Sequence, residues 1–180
     1  MKRFTLIAML LASFSLDADP APVTAPIPEG GRAQQIQYLE NALRDGDLTQ
    51  QQHDDILARM ASKPCQEIDH TLAADREKTL AEAVAKQLKV SEVKIETSFF
   101  SEGWSVLLVT NPSWEDQYLF YSGDPATSES VTTFGGSAPF WAAGDIEQTI
   151  LAEAPGIPRG LAACFAWHIT LGPRFTPESG

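Results

Sequence analysis

Apolar and polar positions along this chain change their repeat part-way through. Between Ala33 and Arg44, Ile36, Leu39 and Leu43 recur at i, i+3 and i+7, with Tyr38 and Ala42 widening the stripe. This is the helical period with one buried side. Gly46 ends the helix, and Thr49 and Gln52 then stand in the Thr-x-x-Gln arrangement of a capping box. His53, Ile56, Leu57 and Met60 occupy i, i+3, i+4 and i+7 of the helix that box opens. The pair predicts a helical hairpin over residues 32–62, broken by Lys63-Pro64 because proline lacks an N–H and restricts the residue before it. A third helix is predicted from about Thr71 to Leu88, with Leu72, Leu80, Ala83, Val84 and Leu88 on one side and charges on the other.

From Val93 the repeat drops to two. Val93, Ile95, Thr97 and Phe99 alternate with Lys94, Glu96 and Ser98, which predicts a strand with one buried and one wetted face. After a turn at Ser101-Glu102-Gly103, Trp104 to Thr110 is apolar on both faces, with Trp104, Val106 and Leu108 opposing Leu107 and Val109. That pattern belongs to a central strand. Asn111-Pro112-Ser113 closes it, and a third strand from Gln117 to Ser122 sets Tyr118 and Phe120 against Leu119 and Tyr121. Ser122-Gly123-Asp124-Pro125 is turn chemistry, and Val131 to Phe134 reads as an edge-like strand before Gly135-Gly136. A short helix follows from about Asp145 to Glu153, with Ile146, Ile150 and Leu151 inward, and then a rigid Pro155-Gly156-Ile157-Pro158 turn. In Leu161 to Thr170 the alternation of Phe165, Trp167 and Ile169 predicts a buried last strand. Helices in front of an antiparallel meander define an α+β fold: an N-terminal helical hairpin plus a helix packed on a small antiparallel sheet of about four to five strands. The α+β domain is expected to occupy residues 63–172, with 173–180 a disordered tail.

The hairpin pattern Leu39-x3-Leu43-x2-Gly46-x-Leu48-Thr49 resembles the short helical hairpins called SHOCT, over about 25 residues. The resemblance implies an envelope or oligomerising setting, with self-association through Ile36, Leu39 and Leu43. At position 53, where that motif usually has an aromatic residue, this chain has His53.

Ahead of the hairpin, Lys2 and Arg3 precede an apolar run from Phe4 to Leu16 that is too short to cross a hydrocarbon layer of ~30 Å as a helix. It reads as a signal peptide spanning residues 1–18, with the cut after Ala18, because later alanines are followed by Pro22 or Pro26. Leu11-Ala12-Ser13 resembles the start of a lipoprotein signal, but Phe14 stands where the lipid-accepting cysteine would have to be. A phenyl ring cannot form the thioether. Residues 19–31, with Pro20, Pro22, Pro26 and Pro28, read as a semi-rigid linker. The expected location is periplasmic or secreted, with no transmembrane span in the mature chain.

Composition sharpens this reading. A hydrophobic share of 43% in 180 residues leaves room for a core, and a charged share of 21% is too low for a solvated disordered chain. The formal charge of −11 argues against nucleic acid as a partner, because that affinity rests on clustered Lys and Arg.

Cys65 and Cys164 are the only cysteines, and in an exported chain they are expected to pair as a disulfide. Two other readings compete for them. Cys65-x4-His70 with Cys164-x3-His168 supplies a set of zinc ligand types, but neither spacing is a usual metal knuckle, so no metal or cofactor is expected. Cys164 with His168 could be a nucleophile and its base; on a strand they would stand roughly 13 Å apart, and on a helix they would touch. Asp54-Asp55, Glu115-Asp116 and Asp145-x-Glu147 read as solvated face, loop and helix N-terminal charge. Gly-x-Ser-x-Gly, Walker A and His-Glu-x-x-His patterns are absent from the sequence, so no enzymatic role is expected. Aromatic and acidic residues in loop-like positions, Trp114, Asp116, Phe140 and Trp141, are the candidate binding residues. The function expected is a periplasmic protein-binding module, an inhibitor or immunity factor for a basic cell-wall hydrolase. The alternatives are an envelope self-association module and a hydrolase using Cys164 and His168.

Overall fold

The computed structural model describes residues 32–112, 114–136 and 138–170. The signal peptide, the proline-rich linker and the tail read from the sequence lie outside the described residues.

Helix α1 (Arg32–Asp45) and helix α2 (Gln50–Ser62) form the expected hairpin. Gly46 sits at φ 85°, a backbone region that side-chain-bearing residues avoid, and the Asp47 N–H donates to the Ala42 carbonyl at 2.9 Å to close α1. The capping box is complete: Thr49 Oγ1 accepts from the Gln52 N–H at 3.2 Å, and Gln52 Oε1 accepts from the Thr49 N–H at 2.9 Å. Leu39, Ala42, Leu48, Ile56 and Met60 make a small core inside the hairpin, on which Ile36, Tyr38, Trp141 and Trp167 pack. The stripe read as a self-association surface is therefore largely occupied within the chain. Leu39 is only 3% exposed, Ile36 packs on the same cluster, and Leu43 is half-buried.

The body begins with helix α3 (Ala74–Leu88). It continues as strands β1 (Lys94–Ser101), β2 (Trp104–Asn111), β3 (Trp114–Ser122) and β4 (Thr132–Gly135), an antiparallel meander in the order β1-β2-β3-β4. Glu102 (φ 48°) and Gly103 (φ 80°) turn β1 into β2 as a two-residue hairpin loop whose twist matches that of the strands. A 3-10 turn (Phe140–Ala142) leads into helix α4 (Ala143–Glu153), and helix α5 (Arg159–Thr170) ends the described chain. The fold is α+β, with five helices and one four-stranded antiparallel sheet among the described residues.

The sheet is covered on both sides. Leu80 and Val84 of α3 pack with Ile95, Leu107, Val109, Leu119 and Tyr121 on one face. Ile146 and Ile150 of α4 and Leu161 and Phe165 of α5 pack with Phe99, Val106, Tyr118 and Phe120 on the other. The two-faced apolar patterns of β2 and β3 have this cause. Tyr121 is further tied to α3 by its hydroxyl, which donates to Gln87 Oε1 at 3.1 Å, while Gln87 Nε2 donates to the Pro125 and Ser128 carbonyls at 2.8 Å each.

Three expectations change. The alternation read along β1 places Ile95 and Phe99 on one face, yet they face opposite sides of the sheet, because the register with β2 shifts between Ile95 and Thr97. The extra residue reverses the parity of the strand, so Ser98, expected to be wetted, is 4% exposed. The segment read as a last strand is helix α5. Leu161, Ala162, Cys164, Phe165 and Ala166 are all buried, so the helix is apolar on nearly every side and carries no helical stripe to detect. Its twelve residues, its alanines and the Pro158 carbonyl accepting from the Ala162 N–H at 3.1 Å fit a helix better than a strand. The four candidate binding residues expected in loops also fall inside elements, Trp114 and Asp116 on β3 and Phe140 and Trp141 in the 3-10 turn.

Candidate functional site

Two places bring chemistry-bearing residues together. At the first, Cys65, in the turns after α2, is joined to Cys164 on α5 by the expected disulfide, with a Cα–Cα distance of 4.7 Å and a sequence separation of 99. Because α5 is a helix, His168 lies one turn beyond Cys164. With Cys164 bonded to Cys65 and no free cysteine among the described residues, no thiolate stands beside that histidine. The His168 ring packs edge-on against Phe99 at 4.9 Å and lies 5.9 Å from Tyr118. Burial, helped by the charge of nearby His70, pushes its pKa down to about 4, so the ring is neutral at neutral pH. Burial likewise raises the Tyr118 phenol to about 12, with a contribution from Asp116.

His70 stands on the solvent side of the same group. It is exposed, its ring meets the edge of Phe99 at 4.9 Å, and its Nδ1 lies 3.0 Å from the Ser98 carbonyl. Ligand atoms of Cys65, His70 and Cys164 all lie within 4.8 Å of one another, a group that does not include His168. The residue types read from the sequence as one zinc set are thus drawn together as a set of three. A cleft of about 240 Å³ beside β1, lined by His70, Glu77 and Glu96, opens onto this side.

The second place is a cleft of about 300 Å³ between α2 and the start of α4, lined by Thr49, Gln51, Gln52, Asp55, Ile56 and Arg59 from the hairpin and by Trp141, Ala143, Gly144 and Asp145 from the body. Arg59 Nη1 donates to Glu147 Oε2 at 2.8 Å, and Arg159 Nε lies 3.6 Å from the other carboxylate oxygen. The Arg59 guanidinium lies against the backbone at Gly144, where an added Cβ would stand 3.4 Å from Nη2. Asp55 and Asp145 are exposed, and Trp141 is half-buried against the hairpin core. Also on α2, His53 is 8% exposed with its Nδ1 3.1 Å from Asp54 Oδ1, while its Nε2 is buried with no hydrogen-bond partner among the described residues. The bond to His53, followed by one from Gln50, holds the Asp54 carboxyl below its ordinary range.

Of the four candidate binding residues, Trp141 lines this cleft. Asp116 is exposed on β3 and is not among the cleft residues, and the side chains of Trp114 and Phe140 lie outside the described residues. The sequence reads Asp55 as solvated face and Asp145 and Glu147 as helix N-terminal charge, and Arg59 is not singled out there, since nothing local marks Arg59 and Glu147 as partners across 88 positions.

No protein-family model, no curated protein and no solved structure matches this chain. The likeness to SHOCT hairpins therefore rests on the residue pattern alone. Among the described residues, no helix is long and apolar enough to cross a membrane. The disulfide fits a protein that matures in an oxidising compartment, periplasmic or secreted.

Proposed function

We propose that this protein is an exported binding module of the cell envelope that captures a basic protein partner, with the cleft between α2 and α4 receiving a lysine or arginine side chain of that partner. The observation that carries the reading is the placement of Trp141 beside the exposed carboxylates Asp55 and Asp145, in a cleft whose own arginine already pairs with Glu147. An aromatic wall attracts a cation through its ring face, and two carboxylates add charge-assisted hydrogen bonds. The net charge of −11 steers such a partner towards the surface over a distance set by the salt concentration. A leader ending at Ala18, a linker from 19 to 31 and a role as inhibitor or immunity factor of a basic cell-wall hydrolase complete the reading.

The test is direct. The mature protein is immobilised and titrated with purified basic cell-wall hydrolases at low and high salt, beside the Trp141→Ala and the double Asp55→Asn, Asp145→Asn variants. Saturable binding that weakens with salt, and at least tenfold in each variant, is expected. Absence of binding, or binding indifferent to both variants, would overturn the proposal.

A further inference from the structure

We infer that the dithiol form of this protein binds a thiophilic divalent cation of the zinc class through Cys65, Cys164 and His70, so that metal and disulfide are alternative cross-links between the same two segments. One ligand atom from each of the three residues already lies within 4.8 Å of the others, although they come from a turn after α2, the approach to α3 and helix α5. Two sulfurs and one imidazole nitrogen suit a borderline-soft cation, leaving a fourth position for water on the side where His70 is exposed.

The histidine is also held in the manner of a metal ligand. Its Nδ1 donates to the Ser98 carbonyl at 3.0 Å, which leaves the lone pair on Nε2, and the Phe99 edge restricts the ring from the side. A backbone carbonyl in that role fixes tautomer and ring orientation around bound metals. Binding requires the two sulfurs to move to about 3.8 Å apart, the edge of a tetrahedron with metal–sulfur bonds of about 2.3 Å.

The chemistry balances with a dithiol as the reductant. Thiol–disulfide exchange breaks the Cys65–Cys164 bond, forms one disulfide on the reductant, and transfers its two hydrogens to the two cysteines. The cation then displaces those two protons and is held by two thiolates and the neutral imidazole.

The full chain, reduced with a phosphine under anaerobic conditions, is titrated with Co²⁺ while visible absorption and far-UV circular dichroism are read on the same sample. A one-to-one complex with thiolate-to-cobalt charge transfer and tetrahedral cobalt bands is expected in the reduced protein, is displaced by Zn²⁺, and is missing from the oxidised protein. His70→Ala should weaken the affinity at least tenfold, and the double Cys65→Ser, Cys164→Ser variant should abolish the bands. If reduction alone loosens the fold, recovery of the helical signal on adding metal equally supports the site. Absent bands, an affinity unchanged in His70→Ala, or bands accompanied by a denatured dichroism spectrum would overturn it.

Discussion

Arg59 on α2 and Glu147 on α4 share a 2.8 Å charge-assisted hydrogen bond, and among the described residues it is the ion pair that joins the hairpin to the body. Glu147 keeps only 10% of its side chain in water and Arg59 keeps 28%, so removing the arginine strands a nearly dry carboxylate. Arg59→Met should lower stability to urea by about 2–3 kcal/mol, below the range for a fully dry pair because Arg159 stands nearby. Adding Glu147→Leu to that variant should recover most of the loss, because no unpaired charge then remains.

The disulfide ties α5 to the turns that follow the hairpin and closes a loop with a sequence separation of 99. The double Cys65→Ala, Cys164→Ala variant should lose up to about 4.7 kcal/mol by the loop-entropy argument. In thermal unfolding, a phosphine reductant should lower the Tm of the natural protein and leave that of the double variant unmoved.

Acid should weaken the fold through His168. In the unfolded chain this ring titrates near 6.5, and in the fold burial holds it at about 4, with His70 across Phe99 adding repulsion and Tyr118 uncharged in this range. Between those values the unfolded chain holds the extra proton. The His168 contribution is therefore complete above pH 6.5, falls as pH drops towards 4 and levels off below, for a total of about 3 kcal/mol at most. Urea midpoints measured across that window should decline less steeply in His168→Leu than in the natural protein.

The β1 irregularity predicts tolerance to a deletion. Ile95 pairs with Val109 and Thr97 pairs with Leu108, which are consecutive on β2, so Glu96 is the residue without an opposite number. Removing Glu96 brings Ile95 and Thr97 into regular register with both apolar faces kept, losing only the exposed contacts to Lys94 and Thr110. The deletion should cost about 1 kcal/mol or less. Ile95→Ala, which empties a buried site beside Leu80 and Val84, should cost about 2–3 kcal/mol by chemical denaturation.

Much of this architecture is legible before any coordinates. The capping box at Thr49 and Gln52, the chain reversal at Gly46 and the doubly apolar β2 and β3 all appear where their residues place them. The cysteine pair follows from an even count together with the expectation of export. The reading of residues 161–170 goes astray where Phe165, Trp167 and Ile169 imitate strand alternation inside a helix buried on almost every side. Periodicity reports a contrast between a wet and a dry side, and α5 has little such contrast to report. The candidate cleft was legible only at Trp141, because its walls come from residues 49–59 and 141–145.

Interactions that reach three or four residues along a helix, or two along a strand, are written in the order of the residues themselves. Such interactions account for the ends of α1 and α2, the turn at Glu102-Gly103 and the central position of β2. Packing decided the rest: α5 is a helix because it fills the layer opposite α3, and Ile95 and Phe99 part company because both layers need an aliphatic or aromatic side chain from the same strand. The meeting of Arg59 with Glu147 and of His70 with the cysteines belongs to the same category. Those contacts join residues far apart along the chain, and only the folded backbone sets which of them come within bonding distance.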